Sequence, residues 1–255
     1  RANSPADSTL VVKPSINYFW IGINIEDPTF QDIRVRQAVQ YAVDVDAILE
    51  GAFSGEMERA TGIVAPGLVG HRPANLIAKR DVEKAKALLA EAGHADGITC
   101  RLTIENIEAS LAVAQIVQSN LAEVGITVEI EPLDEGAFWG LDAEGQKKLQ
   151  MTYKNYINTP DPSWATMWFT PDQIGTWNWE RFNEPRFAEL HQLALRELDP
   201  AKRDAMYVEM QDLMEKSGAY IFIINGANTA LYRNTVAPAF TPNLLTWNLR
   251  DWTPA

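Results

Sequence analysis

A chain of 255 residues is long enough for one large domain or two small ones with a real hydrophobic core. Its composition, 46% hydrophobic and 22% charged, is that of an ordinary globular protein, and no apolar run reaches the roughly 20 residues a bilayer span needs. The formal charge of −12, without any basic run, argues against nucleic acid or an anionic membrane surface as a partner.

Residues 1–8 are polar and read as loose. Residues 10–12 and 18–25 read as two strands, the second ending at Asp27-Pro28. From Asp32 one helix is predicted through DIRVRQAVQYAVDVDAILEGAF, with Val35, Ala38, Val39, Ala42 and Leu49 along one face and Gly51 or Gly55 as its end. Residues 56–79 hold Gly62, Pro66, Gly67, Gly70 and Pro73 and read as an irregular connection. Asp81 is a good N-cap for VEKAKALLAEAG, whose Gly93 suits the position just past the helix. A strand at 98–104, a helix at 109–124 closed by Gly125, and the strand ITVEIE form a βαβ unit, which implies parallel strands and a right-handed crossover. In the first of these strands Ile98, Cys100, Leu102 and Ile104 alternate with Thr99, Arg101 and Thr103, so one face is covered and the other wetter. Cys100 is the only cysteine, which excludes an intrachain disulfide and places a thiol in the core.

A short helix at 134–145 and a strand at 149–153 lead into YINTPDPSWATMWFTPDQIGTWNWER, residues 156–181. Four of the eight tryptophans lie here, at Trp164, Trp168, Trp177 and Trp179, among Pro160, Pro162, Pro171 and Gly175, which stop any long helix or strand. A long loop rich in aromatics is not disordered in character, and with the acids Asp161 and Asp172 it reads as a binding surface. The plainer alternative is a structural loop whose tryptophans plug a small core. Helices follow at 184–198 and, behind the Asp199-Pro200 cap, through Lys216; YIFII at 220–224 reads as a strand covered on both faces. The tail at 229–252 reads as strands separated by Pro238 and Pro242.

His71, His94 and His191 belong to no metal-ligand pattern and read as solvated or capping residues. GxSxG, Walker A and GxGxxG signatures are absent, so no cofactor and no catalysis are expected. A carbohydrate hydrolase, with the Trp-rich loop as a sugar platform, is the enzyme alternative. It would need Asp161 and Asp172 to face each other across the substrate.

Taken together, FQDIRVRQAVQYAVDVDAIL (30–49), DVEKAKALLAEAG (81–93), IVQSNLAEVGITVEI (116–130), DPSWA (161–165) and LDPAKRDAMYVEMQDLMEK (198–216) resemble the extracytoplasmic solute-binding proteins of peptide-type ABC transporters, the dipeptide/oligopeptide-binding family. The resemblance implies an α/β lobe with a mixed sheet flanked by helices. It also implies a two-lobed receptor that closes on its ligand like a hinge and hands it to permease subunits in the membrane, in the periplasm and after removal of a signal peptide. Members are about twice this length, so the chain looks like the C-terminal lobe at 28–225. Strands at 1–27 and 226–255 would then belong to the hinge and a missing N-terminal lobe, and an exposed apolar patch is expected where that lobe docks, near residues 18–25 and 244–252.

By the same resemblance Asp161 pairs with a ligand's α-ammonium, a strong and directional contact inside an aromatic-walled cleft. An Asx turn is the structural alternative, since Asp-Pro commonly starts turns. Tyr156, Asn158, Trp164, Trp168, Trp177 and Trp179 complete the candidate site, with cation–π and stacking contacts from the tryptophan faces. The ligand expected is a peptide or another cationic small solute. An oligosaccharide or a metal chelate is the alternative within the same fold.

Overall fold

The computed structural model describes residues 5–240 and 249–255. Its first element, β1 (Ser8–Ile23), is one strand of 16 residues where the sequence suggests two. Pro14 cannot donate to a ladder, yet β1 absorbs it as a register irregularity between Pro14 and Tyr18 and continues. The single helix expected from Asp32 is also two, α1 (Ile33–Ala42) and α2 (Val45–Phe53). Between them Val43 is extended, because the Asp44 carboxylate starts a new helix by accepting the Ala47 N–H at 3.0 Å. The connection through residues 56–79 is irregular, as expected, and is closed by α3 (Val82–Glu91), which Asp81 caps through the Lys84 N–H at 2.9 Å.

Next come β2 (Ile98–Glu105), α4 (Glu108–Ala122) and β3 (Ile126–Leu133), the βαβ unit in full, with Cys100 opposite Val128 in a parallel ladder. The segment expected to hold one short helix holds two, α5 (Glu135–Trp139) and α6 (Ala143–Lys147), split at Gly140, and leads to β4 (Met151–Tyr156). The Trp-rich segment contains one short helix, α7 (Ser163–Met167), and a single 3-10 turn at Pro171–Gln173. Two helices follow, α8 (Pro185–Ala194) and α9 (Pro200–Lys216), the second capped by Asp199 as its sequence suggests. Because α8 ends at Ala194, Leu198 is not on a buried helix face but 93% exposed. The strand β5 (Tyr220–Arg233) runs well past YIFII, and β6 (Val236–Ala237) pairs with β7 (Thr253–Pro254). Pro242 and Leu244 lie outside the described residues.

The main sheet has the order β3-β2-β4-β1-β5, with β2 parallel to both β3 and β4, and β1 antiparallel to both β4 and β5. One face packs Ile21, Ile23, Leu102, Ile104 and Met151 against apolar residues of α1, α2 and α4. The opposite face packs Tyr18, Trp20, Tyr156 and Phe222 against Phe169, Phe187, Tyr207 and Met210. Hence β1 feeds both cores by simple alternation. Tyr18, Trp20, Ile21 and Ile23 are buried, because β1 lies between β4 and β5 rather than at an edge. The apolar docking patch expected at 18–25 is therefore absent; within the other expected range Leu249 is exposed, as is Leu231 near the far end of β5. Only beyond Tyr18 do β1 and β5 continue as a two-stranded ribbon without β4.

Cys100 sits in the first core, and burial pushes its thiol from an ordinary 9.0 up to about 12. Because the thiolate is the nucleophile, native protein should react with a disulfide reagent at mildly alkaline pH at least about 100-fold more slowly than urea-unfolded protein. Equal rates in a stopped-flow thiol assay would place Cys100 outside the core.

Candidate functional site

The side chains of β4 alternate, so Met151 and Tyr153 enter the first core while Thr152, Lys154 and Tyr156 face the Trp-rich segment. Tyr156 is the point where that segment folds back. Its hydroxyl donates to the Trp177 carbonyl, and its ring lies 5.9 Å from Trp177 and 6.3 Å from Trp168 by centroids. Trp168 in turn makes edge contacts with Trp164 at 5.2 Å and Trp177 at 5.4 Å. Trp164 and Trp177 are 42% and 39% exposed, so the three rings form one continuous outward aromatic face, backed by Tyr156. Such a face stacks on planar or apolar groups and holds cations against its π surface.

Two candidate residues stand elsewhere, and a third borders the face. Trp179, two positions from Trp177, points inward and packs on Phe138 and Trp139 at 5.2 and 5.7 Å, with its Nε1 donating to the Thr176 carbonyl at 3.1 Å. Here the plainer reading of a tryptophan plugging a small core holds. Asn158 is fully buried; its Nδ2 donates to the Ile63 carbonyl and its Oδ1 accepts the Thr159 N–H. Asp161 lies at the edge of the aromatic face, before α7, with its side chain 52% exposed. One oxygen accepts the Ser163 N–H at 2.9 Å, which is the Asx-turn geometry, and both accept from Arg203 Nη2 at 2.8 Å. Partial burial pushes this carboxyl up, but the Arg203 and Ser163 bonds outweigh it and hold the group below the usual carboxylate value. Arg203 also bonds the Ala194 carbonyl and the Tyr207 hydroxyl. Asp172, the other acid of the segment, accepts from Gln173 Nε2 at 3.0 Å.

Sequence reasoning missed several groups around this face. His191, expected to be solvated, is buried on α8 with Nδ1 2.8 Å from Thr166 Oγ1, so it ties α8 to α7, and burial lowers its basicity. Behind the rings, Lys154 Nζ lies 3.0 Å from Glu180 Oε1, both side chains essentially without exposure. The same Glu180 oxygen accepts Trp20 Nε1 at 2.9 Å. Burial drives the Lys154 ammonium from 10.5 down to about 8, against the stabilising charge of Glu180. A lysine in the run MTYKNY carries no signal of this kind, since an alternating polar residue normally faces water. Among the described residues no three His, Cys, Asp or Glu side chains are grouped to hold a metal, and no helix is long and apolar enough to cross a membrane.

Burial also raises the phenols of Tyr18, Tyr156 and Tyr220 well above 10.0. Groups raised on folding lend stability that is present below their unfolded value and lost as pH climbs through the folded one. Lys154, lowered on folding, acts in the opposite sense between about 8 and 10.5. Urea-unfolding midpoints should therefore rise modestly from about pH 8, where Lys154 acts alone, and fall steeply above about pH 10, where the tyrosines prevail. A midpoint still constant at about pH 11 would place these phenols in water.

The chain is similar to known solute receptors along most of its length. The description "Bacterial extracellular solute-binding proteins, family 5 Middle" matches residues 2–176, more than half of the chain. The glutathione-binding protein GsiB of Salmonella paratyphi A is 29% identical over 225 residues, covering 84% of this chain and 43% of that protein. Among solved structures, the oligopeptide-binding protein AppA of Bacillus subtilis, in complex with a nonapeptide, superposes with a TM-score of 0.86 at 19% identity, over 98% of this chain and 53% of AppA. The dipeptide-binding protein of Pseudoalteromonas sp. SM9913, in complex with Met-Leu, gives 0.86 at 22% identity, over 98% of this chain and 51% of its own. At such identities the superpositions establish the fold, a mixed sheet flanked by helices as in the periplasmic binding proteins. The chain spans about half the length of these relatives. Fold and family match coincide, and the chain belongs to the bacterial extracellular solute-binding proteins of family 5.

Proposed function

We propose that the chain is the C-terminal ligand-binding lobe of a two-lobed receptor that captures a peptide or another cationic small solute and delivers it to the permease of an ABC importer from the periplasmic side. The observation that carries the proposal is the outward aromatic face of Trp164, Trp168 and Trp177, supported from behind by Tyr156 and edged by Asp161. The ligand class is supported by the relatives named for glutathione, dipeptide and oligopeptide binding. Aromatic faces close over a peptide backbone and exclude water, and the Asp161 carboxylate then meets the ligand's ammonium, taking the place of the Arg203 contact. Family 5 proteins are substrate-binding transport components, and this reading assigns the site no catalysis.

A hinge-closing receptor contacts its ligand from both lobes, so this lobe alone offers half of the contacts. Titration calorimetry with glutathione and trialanine should show micromolar or tighter binding by the two-lobed protein, and binding at least about 100-fold weaker by the 255-residue chain. Submicromolar binding by the single lobe would refute the half-site picture. Tight binding of maltotriose with no response to either peptide would move the ligand class to oligosaccharides, and turnover of that sugar would make the protein a hydrolase.

A further inference from the structure

The geometry points to Lys154 and Glu180 as positioning residues of the aromatic face: a buried ion pair that anchors the segment carrying Trp177 to the sheet. The inference rests on the reading of that face as the ligand surface, but the anchoring itself is testable without a ligand.

Glu180 belongs to the Trp-rich segment, whereas Lys154 belongs to β4 and Trp20 to β1. The Glu180 Oε1 atom reaches both, at 3.0 Å from Lys154 Nζ and 2.9 Å from Trp20 Nε1. The Lys154 ammonium is also enclosed by rings, with centroids at 4.2 Å for Trp179, 5.3 Å for Trp20 and 5.7 Å for Tyr156. A carboxylate together with three aromatic faces is an ammonium-binding arrangement, and here the protein's own lysine fills it. Tyr156 is the shared wall: inside it borders the lysine, and outside it meets Trp168 and Trp177. The Glu180 main chain is fixed as well, since its carbonyl accepts the Ile25 N–H at 3.0 Å. The fit leaves no slack on the β1 side, where a Cβ on Gly22 would fall 1.8 Å from Glu180 Oε1.

Stability alone accounts poorly for the pair. Buried ion pairs are often no more stable than apolar residues of the same volume, because desolvating two charges cancels most of their attraction. This one is also incompletely satisfied, since Glu180 Oε2 and Lys154 Nζ are buried with no well-formed hydrogen bond. An apolar side chain at position 154 would fill the space without fixing where the segment sits. The charge pair fixes it, because Glu180 has a single deep position in which its carboxylate is compensated.

The test is amide hydrogen exchange by mass spectrometry on the 255-residue chain, as wild type, Glu180→Gln, Lys154→Met and the Lys154→Met/Glu180→Gln double variant. Each single variant leaves one buried charge unpaired, and exchange across residues 175–182 should rise at least about tenfold relative to the β2–β3 amides. The double variant carries no buried charge and should regain much of the lost melting temperature while the segment stays at least about tenfold less protected. Should the single variants fail to fold, the double variant decides the matter. Wild-type protection at 175–182 in the double variant would make the pair a structural feature of the core and overturn the inference. Uniformly increased exchange throughout the chain would do the same. A selectively loosened segment in a two-lobed protein that binds neither glutathione nor trialanine would leave the anchoring intact and count against the ligand reading instead.

Discussion

Substituting Glu215 by alanine should destabilise the protein by about 3–5 kcal/mol, the usual cost of removing one partner from a buried ion pair. Arg72 and Glu215 side chains are only 1% and 6% exposed, with Arg72 Nη2 donating to Glu215 Oε2 at 2.6 Å. The carboxylate also accepts the N–H groups of Leu76 and Ile77, so a single side chain on α9 fastens the long irregular connection before α3. Removing it strands the Arg72 guanidinium with only the partly exposed Asp212 as a compensating charge, and it orphans two backbone donors. Urea denaturation monitored by circular dichroism should show the midpoint moving with an unchanged slope. A loss below about 1 kcal/mol would mean that the connection is held by its other contacts. Arg72→Met should cost a similar amount, because it leaves the Glu215 carboxylate buried without its counter-charge and removes the bonds to the Thr61 carbonyl and Asn75.

The second large effect concerns binding. Truncating one partner of a buried, hydrogen-bonded charge pair costs about 2–5 kcal/mol, so Asp161→Asn in the two-lobed protein should weaken peptide binding at least roughly thirtyfold. The ligand-free melting temperature should hardly move, since an exposed ion pair such as Asp161 with Arg203 contributes at most about 1 kcal/mol and asparagine still accepts the Ser163 N–H. Arg203→Gln is the informative companion. If the ligand ammonium and Arg203 compete for one carboxylate, removing the guanidinium should tighten binding of a cationic peptide. Unchanged affinity in both variants, with a lowered melting temperature for Asp161→Asn, would restrict Asp161 to holding the turn before α7. The anchor would then have to come from another group on the aromatic face.

Much of the local architecture is legible in the sequence because its causes are local. Asp81 and Asp199 cap helices by bonding N–H groups two or three residues on, and Cys100, Leu102 and Ile104 share a face through simple alternation. The family is legible for a related reason, since its amphipathic segments keep their order and spacing along the chain. Local rules also misled. Asp44 reads as one polar position inside a long helix, and only its bond to Ala47 shows it to be a second cap.

What the tertiary structure alone decides is which groups meet across the sheet. Trp177 and Trp179 are two residues apart and chemically alike, yet one lies on the aromatic face and the other packs against Phe138 and Trp139. Nothing in the sequence pairs Lys154 with Glu180, and only the burial of β4 beneath the Trp-rich segment brings them together. Asp161 reads as a ligand anchor or an Asx turn, and only α9 brings Arg203 to it. The sequence by itself determined the βαβ unit, because periodicity and capping record which face of an element is covered, and its resemblance to known solute-binding proteins implied the α/β lobe and the family. It does not record what covers that face, since the partner lies many residues away and is set by how the layers pack. For that reason the aromatic face and the ion pair beneath it belong to the tertiary structure.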